Sequence, residues 1–260
     1  GGSKLGYKRG SFFGCKFYFY KGGQPKDAQF MAVSLEDQAT GISYVLLPDE
    51  KMKEYNSLDP DDFVGKKPED IALKFGNEDL IEEMVSLAAI NAICQHVMKT
   101  THLKVESSTN SMDLLSISKG DKIGMVGLFS GLINPIRKAG AELIVIEKNE
   151  LLIQKNPHLP ITMNTAELST CNKILCTSTT ILNNSLDEIL SHCSPEALVA
   201  IVGPTAGYFP DPLFARGVDI VGGRIVTDGK KLMQLLNQNK HWGDTTQRTC
   251  FQKYLYTGMF

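Results

Sequence analysis

Lys122-Ile-Gly-Met-Val-Gly-Leu-Phe-Ser-Gly131 runs from a short apolar stretch through glycines into a helical pattern. Strand, tight turn and helix in that order open a nucleotide-binding type of α/β sheet, with the turn at the C-terminal end of the strand. The spacing departs from G-x-G-x-x-G. Gly124 and Gly127 lie three apart, and Phe129 stands in the turn where a small residue would let the backbone approach a pyrophosphate. The stretch therefore argues for the fold more strongly than for a dinucleotide.

Downstream, apolar runs at 123–126, 143–146, 173–177, 198–202 and 218–221 alternate with helical patterns at 132–139, 186–192, 212–215 and 230–237. Alternation of this kind predicts a Rossmann-like, mostly parallel sheet with helices on both faces. Upstream, two β-rich runs at 28–35 and 41–47 flank a polar spacer and predict an antiparallel hairpin. Residues 48–62 read as an acidic, proline-bearing loop, and Lys67-Pro-Glu-Asp70 as the start of a short helix ending near Gly76. Asn77 is then placed to cap a long helix running to about Met98. Residues 106–120 are rich in Ser, Thr and Asn and read as a linker. The expected organisation is an α+β domain at 1–105 and the Rossmann-like domain at 121–260.

Right-handed crossovers put the strand ends on one edge, where open α/β sheets bind ligands. The candidates there are Gly127, Phe129, Glu147, Thr177, Ser178, Thr179, Gly203 and Pro204. Glu147 follows Gly127 by twenty residues, the place of an acid on a ribose hydroxyl. A carboxylate there equally suits a metal or caps the next helix. The hydroxyls of Thr177, Ser178 and Thr179 suit an anion or polyol, or cap a helix. Tyr208-Phe209-Pro210 would roof this edge. Asn91 is polar within an apolar helical stretch; it either satisfies buried backbone or stands at the mouth of a cleft.

A net charge of −2 supplies no cationic field for nucleic acid. The basic-aromatic stretch from Tyr7 to Lys21 reads as an edge strand with a solvated cationic face. The six cysteines have neither a paired framework nor metal-ligand spacing, so buried thiols in a reducing cytoplasm are expected. No apolar run approaches the roughly 20 residues that span a bilayer. No nucleophile elbow or P-loop is present.

The runs Val85-Ser-Leu-Ala-Ala-Ile-Asn-Ala92, Lys122 to Phe129, Thr177-Ser-Thr-Thr-Ile-Leu-Asn-Asn184, Val202-Gly-Pro-Thr205 and Leu213-Phe-Ala-Arg-Gly217 with Gly222 resemble, in order and spacing, the family described as putative heavy-metal chelation proteins. The resemblance covers residues 28 to 228. It implies an enolase-N-terminal-like domain joined to a Rossmann-like domain, with a ligand held in the cleft between them. Ser130 stands where relatives carry a proline. The segment before Ala28 and the tail after Lys240 have no counterpart, and are candidates for self-association or partner contacts. The expected function is binding of a small molecule or metal chelate in that cleft, with Glu147 as the metal or principal charged ligand. The alternative is an enzyme using NAD or S-adenosylmethionine in the same cleft.

Overall fold

A computed structural model describes residues 15–18, 30–103, 105, 111–238 and 240–259. Most of the predicted basic-aromatic edge strand lies outside them. Its described part, β1 (Cys15–Tyr18), pairs antiparallel with β2 (Phe30–Leu35), which pairs in turn with β3 (Thr40–Tyr44).

The stretch read as an acidic loop folds instead as α1 (Asp49–Ser57) followed by a 3₁₀ turn over Pro60–Phe63. Pro48 precedes the helix, and Asp49 and Glu50 lie in its first turn, where acids complement the exposed amides. The buried Tyr55 ring anchors it. A short helix α2 (Pro68–Ala72) leads to the long α3 (Leu80–Thr100). The cap of α3 is Asp79, not Asn77: Asp79 Oδ1 accepts from the amides of Ile81 and Glu82, both at 3.0 Å.

Helix α3 lies against the small sheet at its narrowest point. A Cβ on Gly41 of β3 would come within 2.1 Å of Ala88 O and 2.3 Å of Ala92 N. Ala88, Ala89 and Ala92 on the helix and Gly41 on the strand together make this approach possible.

After a short α4 (Ser111–Leu114) comes the main sheet. Its strands are β4 (Lys122–Val126), β5 (Glu142–Ile146), β6 (Ile161–Thr162), β7 (Lys173–Thr177), β8 (Leu198–Val202), β9 (Ile220–Val226) and β10 (Thr246–Gln252). Their order is β10-β9-β8-β7-β4-β5-β6, parallel except for β10. The connecting helices are α5 (Ser130–Lys138), α6 (Glu150–Lys155), α7 (Leu186–His192), α8 (Asp211–Ala215) and α9 (Gly229–Asn237).

Two predicted features shift. The last parallel strand begins at Ile220, where pairing with Ala200 starts, and runs on to Val226 because β10 supplies a partner beyond the end of β8. The tail after Lys240 is that partner. Trp242 is also buried, edge-on to Phe30 at 5.1 Å.

One continuous core joins the two halves. Met31 and Val33 of β2, Leu87 and Ala88 of α3, Ile201 of β8, Phe209 and Phe251 belong to the same buried cluster. Among the described residues no helix is long and apolar enough to cross a membrane.

Candidate functional site

The sheet order reverses between β4 and β7, and the ends of both strands carry predicted site residues. Gly127 turns the chain out of β4 with a φ of +83°, a conformation glycine adopts without strain. A Cβ there would meet Thr177 Cγ2 at 3.0 Å, so these two strand ends touch. Glu147 closes the turn from the β5 side. Its Oε2 accepts the Leu128 amide at 3.2 Å and its Oε1 the Asn149 amide at 2.9 Å. The amide that a pyrophosphate would use at this turn is therefore already held by a carboxylate. Phe129 begins α5 half-buried on the core of Ile123, Met125 and Ile133, its amide 3.4 Å from Met125 Sδ.

Thr177 and Thr179 face each other, hydroxyl to hydroxyl, at 3.0 Å, and the Thr179 amide donates to Thr177 Oγ1. Ser178 is buried with an unpartnered hydroxyl. It packs against Gly203, where a Cβ would lie 2.1 Å from Ser178 Oγ.

Pro204 continues the loop after β8, and this loop is stitched to the small sheet. Thr205 Oγ1 accepts the Tyr44 amide at 3.1 Å, and Asn91 Nδ2 donates to both Ile42 O and Thr205 O at 2.8 Å. Asn91 is thus the buried staple between β3, α3 and the β8 loop, while its Oδ1 is unpartnered.

An apolar cleft lies one helical face away. A cavity of about 540 Å³ opens between α3 and the segments following β7 and β8. Helix α3 contributes Leu87, Ile90 and Cys94, Ile181 and Leu186 form the second wall, and Tyr208, Phe209 and Leu213 the third. The polar groups are few: Thr180, Asn184, and an Asp187–Arg216 ion pair at 3.1 Å. Both partners of that pair are largely exposed, so it contributes little to stability. Burial pushes the Cys94 thiol up to about 11, against a hydrogen bond with the Phe209 backbone. Burial, with smaller contributions from Cys176 and Cys94, raises the Tyr208 phenol.

None of Asn91, Gly127, Phe129, Glu147, Thr177, Ser178, Thr179, Gly203 and Pro204 lines this cavity. They lie at the ends of β4, β5 and β7 and, for Asn91, Gly203 and Pro204, at the seam between α3, β3 and the β8 loop. Of the predicted roof Tyr208-Phe209-Pro210, Tyr208 and Phe209 line the cavity and Pro210 does not. Leu87, Ile90 and Cys94 belong to the apolar repeat that predicts the helix, and their i, i+3, i+7 spacing puts them on one helical face, but the repeat alone does not mark that face as a cleft wall. Asn91, about 100° round the helix from Ile90, turns to β3 instead.

A second, more polar cavity of about 620 Å³ lies between the β2–β3 turn and β9. Leu103 and Val105 line it, and residues 104 and 106–110 beside them lie outside the described set.

Among the described residues no group of three or more His, Cys, Asp or Glu side chains is placed to hold a metal ion. Burial raises the thiols of Cys94, Cys171, Cys176 and Cys193, that of Cys176 to about 12 and that of Cys193 to about 11. A thiolate ligand must first lose that proton. The described residues do not fit a site for a bare heavy-metal ion.

The fold and cleft define an α/β protein with a ligand-sized cavity between a helix and the strand ends of a doubly wound sheet. Two family models, both described as putative heavy-metal chelation, match residues 28–94 and 110–255, and the chain belongs to this family. It is 25% identical over 161 residues to an uncharacterised protein of Methanocaldococcus jannaschii, a match covering 61% of this chain and 60% of the relative's length. A Pyrococcus horikoshii protein of unknown function from the same family superposes with a TM-score of 0.67 at 20% identity, covering 92% of this chain and 93% of that one. A Desulfitobacterium hafniense member gives 0.68 at 17% identity, covering 91% and 90%. These likenesses establish the fold.

Proposed function

We propose that this protein binds a small organic molecule, or a metal already held within one, in the cleft between α3 and the strand ends of β7 and β8. The observation that carries this reading is the cavity itself, about 540 Å³ with apolar walls and only a few polar groups. Clefts of this size and character bury most of a ligand's surface and use sparse polar contacts for orientation. A chelate brings its own donor atoms and asks the protein only for shape and apolar contact. A bare ion asks for a ligand set that the described residues do not supply. In this reading Asn91 and the loop that begins at Gly203–Pro204 position the cleft walls, and neither they nor Glu147 touch the ligand.

The test is thermal denaturation with nickel–phenanthroline, with phenanthroline alone, and with nickel or zinc chloride. At ten times its dissociation constant the chelate is expected to raise Tm by about 3–5 °C, and the bare ions not at all. Stabilisation by the bare ions and not by the chelate would overturn the reading.

A further inference from the structure

Arg224 on β9 and Arg248 on β10 stand directly opposite one another in the antiparallel register. Their side chains share one face of the sheet, and like charges so placed destabilise a strand pair. Neither guanidinium forms an ion pair among the described residues. Arg224 is half-buried and held in place: its Nη1 donates to Thr246 Oγ1 at 2.6 Å and to Gly243 O at 3.4 Å. Thr246 Oγ1 itself donates to Gly243 O at 2.9 Å, which fixes the hydroxyl that orients the guanidinium. Of the five N–H donors of Arg224, those on Nε and Nη2 have no protein acceptor among the described residues. Burial first, and the Arg248 charge second, lower the Arg224 pKa, the direction expected for a cation without a counter-charge.

Strand alternation places this pair away from the cleft. Val221 and Ile225 of β9 belong to the core shared with α3, whereas Ile220, which points to the same face as Arg224, belongs to the separate buried cluster on the other side of the sheet that also holds Ile133 and Ile136 of α5.

We infer that Arg224 and Arg248 form a site for a multiply charged oxyanion, a phosphate group or a polycarboxylate, on the face of the sheet opposite the cleft. Two guanidiniums, one preset by Thr246 and Gly243, present forked donors that match such an anion, and the anion supplies the missing counter-charge. The site is independent of what the cleft binds.

The test is the Tm of the full chain at low ionic strength in inorganic phosphate, citrate or sodium chloride of matched ionic strength, for the native sequence and for Arg248→Gln. Arg248 is exposed and accepts no structural role in the hydrogen bonding, so the variant should fold. Without anion, Arg248→Gln is expected to melt about 1–2 °C higher, because a like-charge contact is gone. Phosphate or citrate at ten times its dissociation constant is expected to raise the native Tm by about 3–5 °C, and this increment should vanish in the variant. The stronger of the two anions tells a phosphate site from a polycarboxylate site. Chloride as effective as either anion, an increment that survives Arg248→Gln, or a variant that melts lower without anion would each overturn the inference.

Discussion

Gly41→Ala is expected to destabilise the fold by about 3 kcal/mol or more, the upper range for overpacking, lowering Tm by roughly 6–12 °C. The new methyl group would lie 2.1 Å from Ala88 O, 2.3 Å from Ala92 N and 2.7 Å from Asn91 Cβ. Two of those atoms are helix backbone, so no rotamer change relieves the clash. Either α3 lifts from β3 or the strand shifts register, and both movements open the core that joins the small sheet to the main one. Chemical denaturation of the variant checks this, and a loss under 1 kcal/mol would mean that helix and strand are not in contact as described.

Asn91→Ala is expected to cost about 2–4 kcal/mol. Its side chain is 2% exposed and donates to two carbonyls, Ile42 O and Thr205 O, that belong to different segments. Truncation leaves both acceptors without that donor in a dry interior, and each such loss typically costs about 1–3 kcal/mol. Asn91→Asp should be worse than alanine, because it aims a carboxylate at two carbonyl oxygens. A variant series in which Asp is tolerated better than Ala would show that Asn91 does not hold this seam. Because the seam sets the distance between α3 and the β8 loop, the cleft should also loosen in the alanine variant.

The parallel sheet was legible because β4, β5, β7 and β8 are short apolar runs closed by glycine or polar residues, and because helical patterns separate them. Helix α3 was legible from its length and its apolar spacing. Strand β10 was not. Its sequence, Thr-Gln-Arg-Thr-Cys-Phe-Gln, has no apolar alternation, and only its seven pairings with β9 make it a strand. Strand β6 is two residues long and exists through its pairing with β5. Helix α1 was hidden by the same proline and acids that favour a loop, although both are also helix-start signals.

The strand-end residues were read as a group; in the structure Gly127 lies against Thr177, and Glu147 holds the Leu128 amide next to Gly127. Their use was not legible. Whether Glu147 faces a ligand or two backbone amides depends on the path of the turn at Leu128, which no spacing encodes. The cleft depends on still longer-range placement: Ile90 and Leu213 come together only when α3 packs across the β7 and β8 loops.

Binding of 1-anilinonaphthalene-8-sulfonate, an aromatic anion of cleft size, tests the central claim most directly when the native chain is compared with Ile90→Trp. Ile90 lies on the cleft face of α3 and is only partly buried, so tryptophan extends into the cavity without displacing the core. The native chain is expected to show saturable one-to-one fluorescence enhancement, and the variant, with unchanged Tm, at least tenfold weaker binding. Equal affinity in the two proteins would contradict the cleft as the binding site.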